Sequence, residues 1–401
     1  MVVPMPEDDI QNHNHNHNKI LADSKQHAGT APSCALWQTR SYVDHSHFHV
    51  NRTRAVATMP IRFYSSTHSP SQPRKSGSAP LAHRSLISLS GPDAAKFLQG
   101  LITNNVDASR QAPFYAAFLD ARGRVLWDVF IWVWPELVAE KGHWACYIEV
   151  DQTEAGALKK HLKRHKLRSK VTIEDAESVG IWAAWGDAPA QVPKENAVSD
   201  LQDPRAPGLH RYLVAHDRTS LADRSEVLDV SEYHLQRYLL GVPEGPVEIP
   251  RESALPMECN IDLSSGIDFK KGCYVGQELT IRTKHTGVVR KRMLPIQLEH
   301  PGASVSPPVS GTDIKQLDDD GRTKRGRAAG KFIAGVGQVG LALCRLEMMT
   351  SMKVSAEGGS WKPGMQFGVD TDNGVVKVKP VLHDWFLSRE SHLWDKNRTR
   401  I

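Results

Sequence analysis

The stretch FYAAFLDARGRVLWDVFIWVW, Phe114 to Trp134, does most to restrict the fold. Two arms rich in aromatic and β-branched residues flank Asp120 to Gly123, a pattern that predicts an antiparallel β-hairpin. Its longest apolar run, Val129 to Trp134, has the length of a strand and is bounded by Asp128 and Pro135. A membrane-spanning helix needs ~20 such residues. HWACYIEV, His143 to Val150, reads as a further strand.

Helices alternate with these strands. LISLSGPDAAKFLQGLITNNV, from Leu86, starts as a strand and becomes a helix carrying Ala94, Phe97, Leu98 and Leu101 at helical intervals. Ser90 and Asp93 have capping-box spacing. TEAGALKKHLKRHKLRSK, Thr153 to Lys170, predicts a helix that buries Leu158 and Leu162. It shows solvent the cations Lys159, Lys160, Lys163, Arg164, Lys166, Arg168 and Lys170. SVGIWAAWG and HRYLVAH read as strands, and VSEYHLQRYLLG as a helix. RKRMLPIQLE, AGVGQVGLALCRL and NGVVKVKPVL, with their glycine turns, suit a small β-barrel-like domain. Residues 301–330 have few large apolar side chains and predict a disordered insert.

The chain has 401 residues, enough for two or three domains, and 40% hydrophobic with 24% charged residues fits a soluble globular protein. A net charge of +5 is too small a bias to indicate nucleic-acid binding, which needs a clustered basic face. The cysteines, Cys34, Cys146, Cys259, Cys273 and Cys344, are scattered, without a CxxC pair. Neither a zinc site nor a disulfide framework is indicated, and a reducing compartment is expected.

The first eighty residues differ from the rest. NHNHNHN, Asn12 to Asn18, has no apolar face to bury and predicts disorder. Cys34 to Pro80 is rich in Arg and Ser, and Asp44 is its only acid. This is the composition of a mitochondrial transit peptide, although Glu7, Asp8 and Asp9 make an acidic start. RFYSS, Arg62 to Ser66, has the form of a matrix-protease site, with cleavage after Tyr64. The segments are therefore a leader (1–80), a body (81–290), a barrel with its insert (291–385) and a tail (386–401).

The chemistry concentrates in LPMECNIDLSSGIDFKKGCYVGQELTIRTKHTGVVRKR, Leu255 to Arg292. Cys273 sits between Gly272 and Gly276, and Lys270, Lys271 and Arg282 are placed to favour its thiolate if they lie nearby. The glycines permit tight turns and close approach. Gln277 and Glu278 can present an amide and a carboxylate at the start of an element. Pro256, Glu258 and Asn260 read as an extended segment. Residue types alone leave Cys273 equally well explained as a reactive thiol on a ligand-contacting turn and as a small buried filler.

The KGCYVGQE motif preceded by PMECN, with GPDAAKFLQGLITNNV and LDARGRVLWDVF in the right order, strongly resembles the YgfZ-like branch of the glycine-cleavage T-protein (aminomethyltransferase) superfamily. The resemblance runs from Leu81 to Leu382, apart from the insert, and is closest to the mitochondrial iron–sulfur cluster assembly factors of that branch. It implies an α+β fold: a folate-binding, T-protein-like three-part body with a central channel, plus a C-terminal β-barrel. It also implies a matrix protein for maturation of 4Fe–4S proteins, working with an A-type iron–sulfur scaffold. Cys273 would ligate a 2Fe–2S or 4Fe–4S cluster shared with that partner.

By the same resemblance, Asn104 and Glu258 would meet tetrahydrofolate at the channel, Glu258 at the pterin ring. Lys271, Gly272, Tyr274, Gly276, Gln277, Glu278 and Arg282 complete the motif's contacts. The alternative implied is a tetrahydrofolate-dependent aminomethyl transferase. Two departures weigh against it: VDQTEAGALKK lacks the family's catalytic acid, and Asn105 stands where the family has Asp.

Overall fold

The computed structural model describes residues 74–188, 197–216, 227–299 and 308–398. All of these belong to one compact unit, Ser66–Ile401. Along the chain run β1 (Gly77–Pro80), β2 (Arg84–Ser90), α1 (Ala94–Gln99), β3 (Phe114–Leu119), β4 (Val125–Trp132), α2 (Pro135–Lys141), β5 (Ala145–Asp151), α3 (Ala155–Lys166), β6 (Thr172–Asp175), β7 (Val179–Trp185), β8 (Ser199–Gln202) and β9 (Leu209–Ala215). Then come α4 (Val230–Leu240), α5 (Gly245–Glu248), α6 (Gln277–Thr286), β10 (Lys291–Glu299), β11 (Asp313–Gln316), β12 (Gly330–Val336), β13 (Val339–Arg345), α7 (Leu346–Met349), β14 (Phe367–Thr371), β15 (Gly374–Pro380) and α8 (Asp384–Arg398).

These make three parts: a five-stranded sheet ordered β3-β4-β5-β2-β6, a four-stranded sheet ordered β1-β7-β9-β8, and a closed barrel β10-β13-β12-β11-β14-β15. Closure leaves the barrel without edge strands.

The hairpin forms as the sequence predicts, because its turn residues satisfy their own backbone. Asp120 Oδ1 accepts from the amides of Arg122 and Arg124 at 2.9 and 2.8 Å, and Gly123 takes φ 79. Both faces of β3 and β4 are buried. Alternation sends Tyr115, Ala117 and Leu119 into a core continuous with the second sheet and the barrel. Phe114, Ala116 and Phe118 enter a separate layer under α1 and α3, where Leu98, Leu158 and Leu162 complete it.

A buried ionic cluster joins the two sheets. Arg84 on β2 donates to Glu149 on β5 at 2.9 Å, and Arg211 on β9 reaches both Glu149 and Glu244. Arg205 binds Glu244 at 2.8 Å and Asp203 at 2.7 Å, and Tyr233 donates to Glu244 at 2.8 Å. Arg237 and Tyr238 both reach Glu248. Burial alone would raise the Glu244 carboxyl, but Arg211, Arg205, Arg84 and Arg237 hold it well below its ordinary value. Removing one partner from such a cluster strands a charge away from water.

Several expectations are corrected. The 1–80 leader ends earlier, since Gly77–Pro80 pairs with Trp182–Trp185 as β1. The transit-peptide features, the cleavage site and the His-Asn run lie outside the described residues. Residues 386–398 of the 386–401 tail belong to α8, whose Phe386 and Trp394 are buried. Part of the 301–330 insert is ordered: Asp313–Gln316 is a barrel strand paired with β12 and β14, with Ile314 inside. The Ser90–Asp93 capping box does not form, because Asp93 accepts instead from the Lys170 amide at 2.7 Å and Ser90 ends β2.

The carboxylate of Glu244 is charged in the fold at pH values where the unfolded chain protonates it. Its contribution is therefore complete above the ordinary 4.5 and is lost as pH falls below that value. Glu244→Gln should cost about 3–5 kcal/mol at neutral pH. Thermal denaturation followed against pH should show the gap to wild type narrowing below 4.5. A gap independent of pH would contradict the assignment.

Candidate functional site

The Cys273 loop is held by the end of α1 and the hairpin turn, both far before it in sequence. Helix α1 ends at Gln99, and its last carbonyls lack partners within the helix. The Lys271 ammonium meets one of them, donating to Gln99 O at 2.8 Å, and also to Ile102 O and Asn104 O in the following turn at 2.7 and 2.8 Å. Burial pushes Lys271 down to about 8. The same ammonium lies 4.9 Å from the centre of the Tyr274 ring, which is buried.

Backbone bonds fix the loop further. Val275 N donates to Gly100 O at 3.1 Å, Asp268 N to Thr103 O at 3.0 Å, and Lys270 N to Asp268 Oδ1 at 2.7 Å.

Gly276 closes the loop and begins α6. It takes φ 80, and a Cβ there would lie 2.8 Å from Leu119 Cβ and overlap the Asp120 carbonyl at the hairpin turn. Gly123 is packed reciprocally, with Leu279 of α6 at 2.8 Å from its notional Cβ. Gly272 differs: nothing lies within 4 Å of the position its Cβ would take. Its freedom is not required by packing. Gly272 and Cys273 are exposed, as are Glu278 and Arg282, which share one face of α6 four residues apart. Gln277 is half-buried at the first position of that helix.

Cys273 is the exposed cysteine among the four described; Cys146, Cys259 and Cys344 are buried, and burial pushes their thiols well up. The filler reading therefore fits those three and not Cys273. No group of three or more His, Cys, Asp or Glu among the described residues is placed to hold a metal ion. The loop thus presents a single exposed thiol.

The expected folate contacts separate. Asn104 is a structural clasp: its amide donates to Tyr115 O and Ser265 O at 2.8 Å each, and its Oδ1 accepts from Asn105 N at 2.8 Å. Residues 256–265 are successive turns rather than an extended segment, with Asn260 at φ 59. This sends neighbours in different directions. Cys259 and Asn260 line a cavity of about 10 Å³ between β3 and α8, with Tyr115, Arg205, Trp385 and Phe386. That is roughly room for one water, so a pterin does not fit there.

Glu258 instead lines a lateral cavity of about 210 Å³ beside α6. Its carboxylate pairs with Lys291 at 2.6 Å, and Leu255, Leu279, Val289 and Thr280 form walls. Thr280 Oγ1 is buried close to the Tyr274 hydroxyl. A flat ring with one polar edge fits this second space in size and polarity.

The acids near the departures from the family are committed elsewhere: Asp151 accepts from Thr153 N at 2.9 Å, and Glu154 from Trp127 Nε1 at 2.7 Å.

Comparison with known proteins decides the family. A sequence model described as the CAF17 C-terminal beta-barrel domain matches residues 290–387. A protein of Phaeosphaeria nodorum named iron-sulfur cluster assembly factor IBA57 homolog, mitochondrial, is 58% identical over 353 residues, covering 84% of this chain and 86% of the relative. The chain belongs to the IBA57 family.

IBA57 homologs of Aspergillus fumigatus and Neurospora crassa, both also named mitochondrial, are 41% and 40% identical over 80% and 81% of the chain, and each match covers 84% of the relative. Among solved structures, the glycine cleavage system aminomethyltransferase T of Bartonella henselae shares the fold. The match has a TM-score of 0.55 at 14% identity and covers 78% of this chain and 87% of that one. The α+β body with a C-terminal barrel, read from the sequence, is thus the fold of this IBA57-family chain.

Sequence reasoning missed the partners that hold the loop. Gln99 is one: its carbonyl meets Lys271, and its side chain bonds Asn105 Oδ1 and Val106 N at 2.8 and 2.7 Å. Lys291 and Thr280 at the lateral cavity were missed as well. An orphan carbonyl at a helix end was the only available signal, and it does not say which distant lysine will answer it.

Gly276→Ala should lower stability by about 1–3 kcal/mol, since both φ and the contact with the hairpin turn resist a Cβ. Gly272→Ala should stay within about 0.5 kcal/mol of wild type. Chemical denaturation compares them, and equal losses would contradict the loop geometry described.

Proposed function

We propose that this chain is a mitochondrial matrix factor that supports maturation of 4Fe–4S proteins, acting with an A-type scaffold through Cys273. The observation that carries the reading is the exposure of Cys273 on a loop fixed by Lys271 and Gly276, in a chain of the IBA57 family. Iron–sulfur clusters are held by several thiolates. One thiol on this surface therefore serves as a ligand for a 2Fe–2S or 4Fe–4S cluster whose remaining ligands a partner provides.

Cys273→Ser tests this in cells lacking the native protein. Oxygen is a poor replacement for sulfur towards iron, so aconitase activity and lipoylation should fall to the level of the deletion strain while the protein accumulates normally. Wild-type levels of both would refute the role given to Cys273.

A second reading, a bound tetrahydrofolate, draws support from Glu258 at the lateral cavity and not from the inner one. Glu258 would accept hydrogen bonds from the pterin edge, with Leu255, Leu279 and Val289 against its faces. Calorimetric titration with tetrahydrofolate should show affinity lowered about tenfold in Glu258→Ala, the loss expected for a hydrogen bond to a charged group. Equal affinity in both proteins would reject this placement.

A further inference from the structure

The basic segment Thr153–Lys170 takes no part in the site above. Helix α3 buries Leu158 and Leu162. At 3.6 residues per turn, Lys160, Lys163 and Arg164 form a stripe on the face opposite those leucines, and Leu167 directly follows the last helical residue, Lys166. Lys160, Lys163, Arg164, Arg168 and Lys170 are exposed, and none forms a salt bridge among the described residues. On this helix Lys159 is the one that does, with Asp175 at 2.5 Å. From Ala155 to Ile173 there is no acid.

The stripe ends in an unusual turn. Ser169 N donates to Lys166 O at 2.8 Å, closing a β-turn with Leu167 at its first central position. Leu167 has φ 43 and ψ −111, near the type II′ geometry that calls for glycine. Its side chain is 89% exposed. Neither the turn nor the core gains from leucine here, because the backbone disfavours a Cβ and the side chain packs on nothing. The turn is nevertheless held firmly, through Lys170 N to Asp93 Oδ2 at 2.7 Å.

We propose that this turn and the α3 stripe dock on an anionic lipid bilayer. Leu167 enters the boundary between headgroups and acyl chains, while the surrounding cations meet lipid phosphates. A protein partner fits less well, because interface cores contain several apolar side chains. The other large exposed apolar residues described, Val227, Val247 and Val309, lie on other segments. Nucleic acid would engage the cations but leave Leu167 in water, and the stripe offers no aromatic ring for stacking.

The test is cosedimentation of the full chain with vesicles of phosphatidylcholine containing cardiolipin, against phosphatidylcholine alone. Binding should require the anionic lipid and weaken with salt. Lys163→Ala and Arg164→Ala should each lower it about fivefold. Leu167→Gly should lower it about tenfold, while its thermal midpoint stays level or rises, because glycine relieves the turn. Failure to bind cardiolipin vesicles overturns the proposal. So does a Leu167→Gly variant that melts earlier, which would give the leucine a packing role. Vesicle binding that Leu167→Gly leaves intact, matched by equal retention on duplex DNA, would show a simple polyanion patch and overturn it as well.

Discussion

Glu244 is buried among four guanidinium groups, and this cluster is the constraint on which the architecture depends. Arg84 and Glu149 belong to the five-stranded sheet and Arg211 to the four-stranded one, so the cluster fixes how the two sheets face each other. Buried ion pairs add little net stability, but they penalise every arrangement that leaves one member unpaired. The same packing extends between the sheets and α8. Arg205 lines the small inner cavity, and Trp385 and Phe386 of α8 close it from the other side.

The body also presents an exposed thiol, Cys273, on a braced loop. Lys271 gathers three carbonyls from the end of α1 and the turn after it, while Gly276 seats the loop on the hairpin turn. The motif's lysine and second glycine are structural, and their effect is to hold Gly272 and Cys273 in solvent. Such an arrangement suits contact with another macromolecule better than enclosure of a small substrate. Arg292 and Asp262, joined by two 2.9 Å bonds, extend the bracing to the barrel, and Trp394 of α8 donates to the same carboxylate at 2.9 Å.

Much of this was legible in the sequence where the determining interactions are local. The hairpin was, because Asp120 and Gly123 define its turn and its arms alternate between two cores. The Cys273 motif was, because three sequence blocks carry the resemblance. The α8 helix was not: its buried stripe, Phe386, Glu390 and Trp394, includes an acid, so the segment reads as polar. Nor was β11, which buries Ile314 alone and gains order from partners on distant strands. The role of Lys271 depends on carbonyls some 170 residues earlier, and no periodicity records such a contact. The split of Glu258 from Cys259 and Asn260 arises from turns where extended chain was expected, with Asn260 at φ 59.

The account rests on a thiol that a partner can reach and share iron with. The most direct measurement is the absorption spectrum and iron-to-protein ratio of the complex formed when this chain and an A-type scaffold are reconstituted together with iron and sulfide, without oxygen. The prediction is a coloured, stoichiometric heterocomplex with the wild-type chain and none with Cys273→Ser. A Cys273→Ser chain that formed the same complex, with the same iron content, would contradict it.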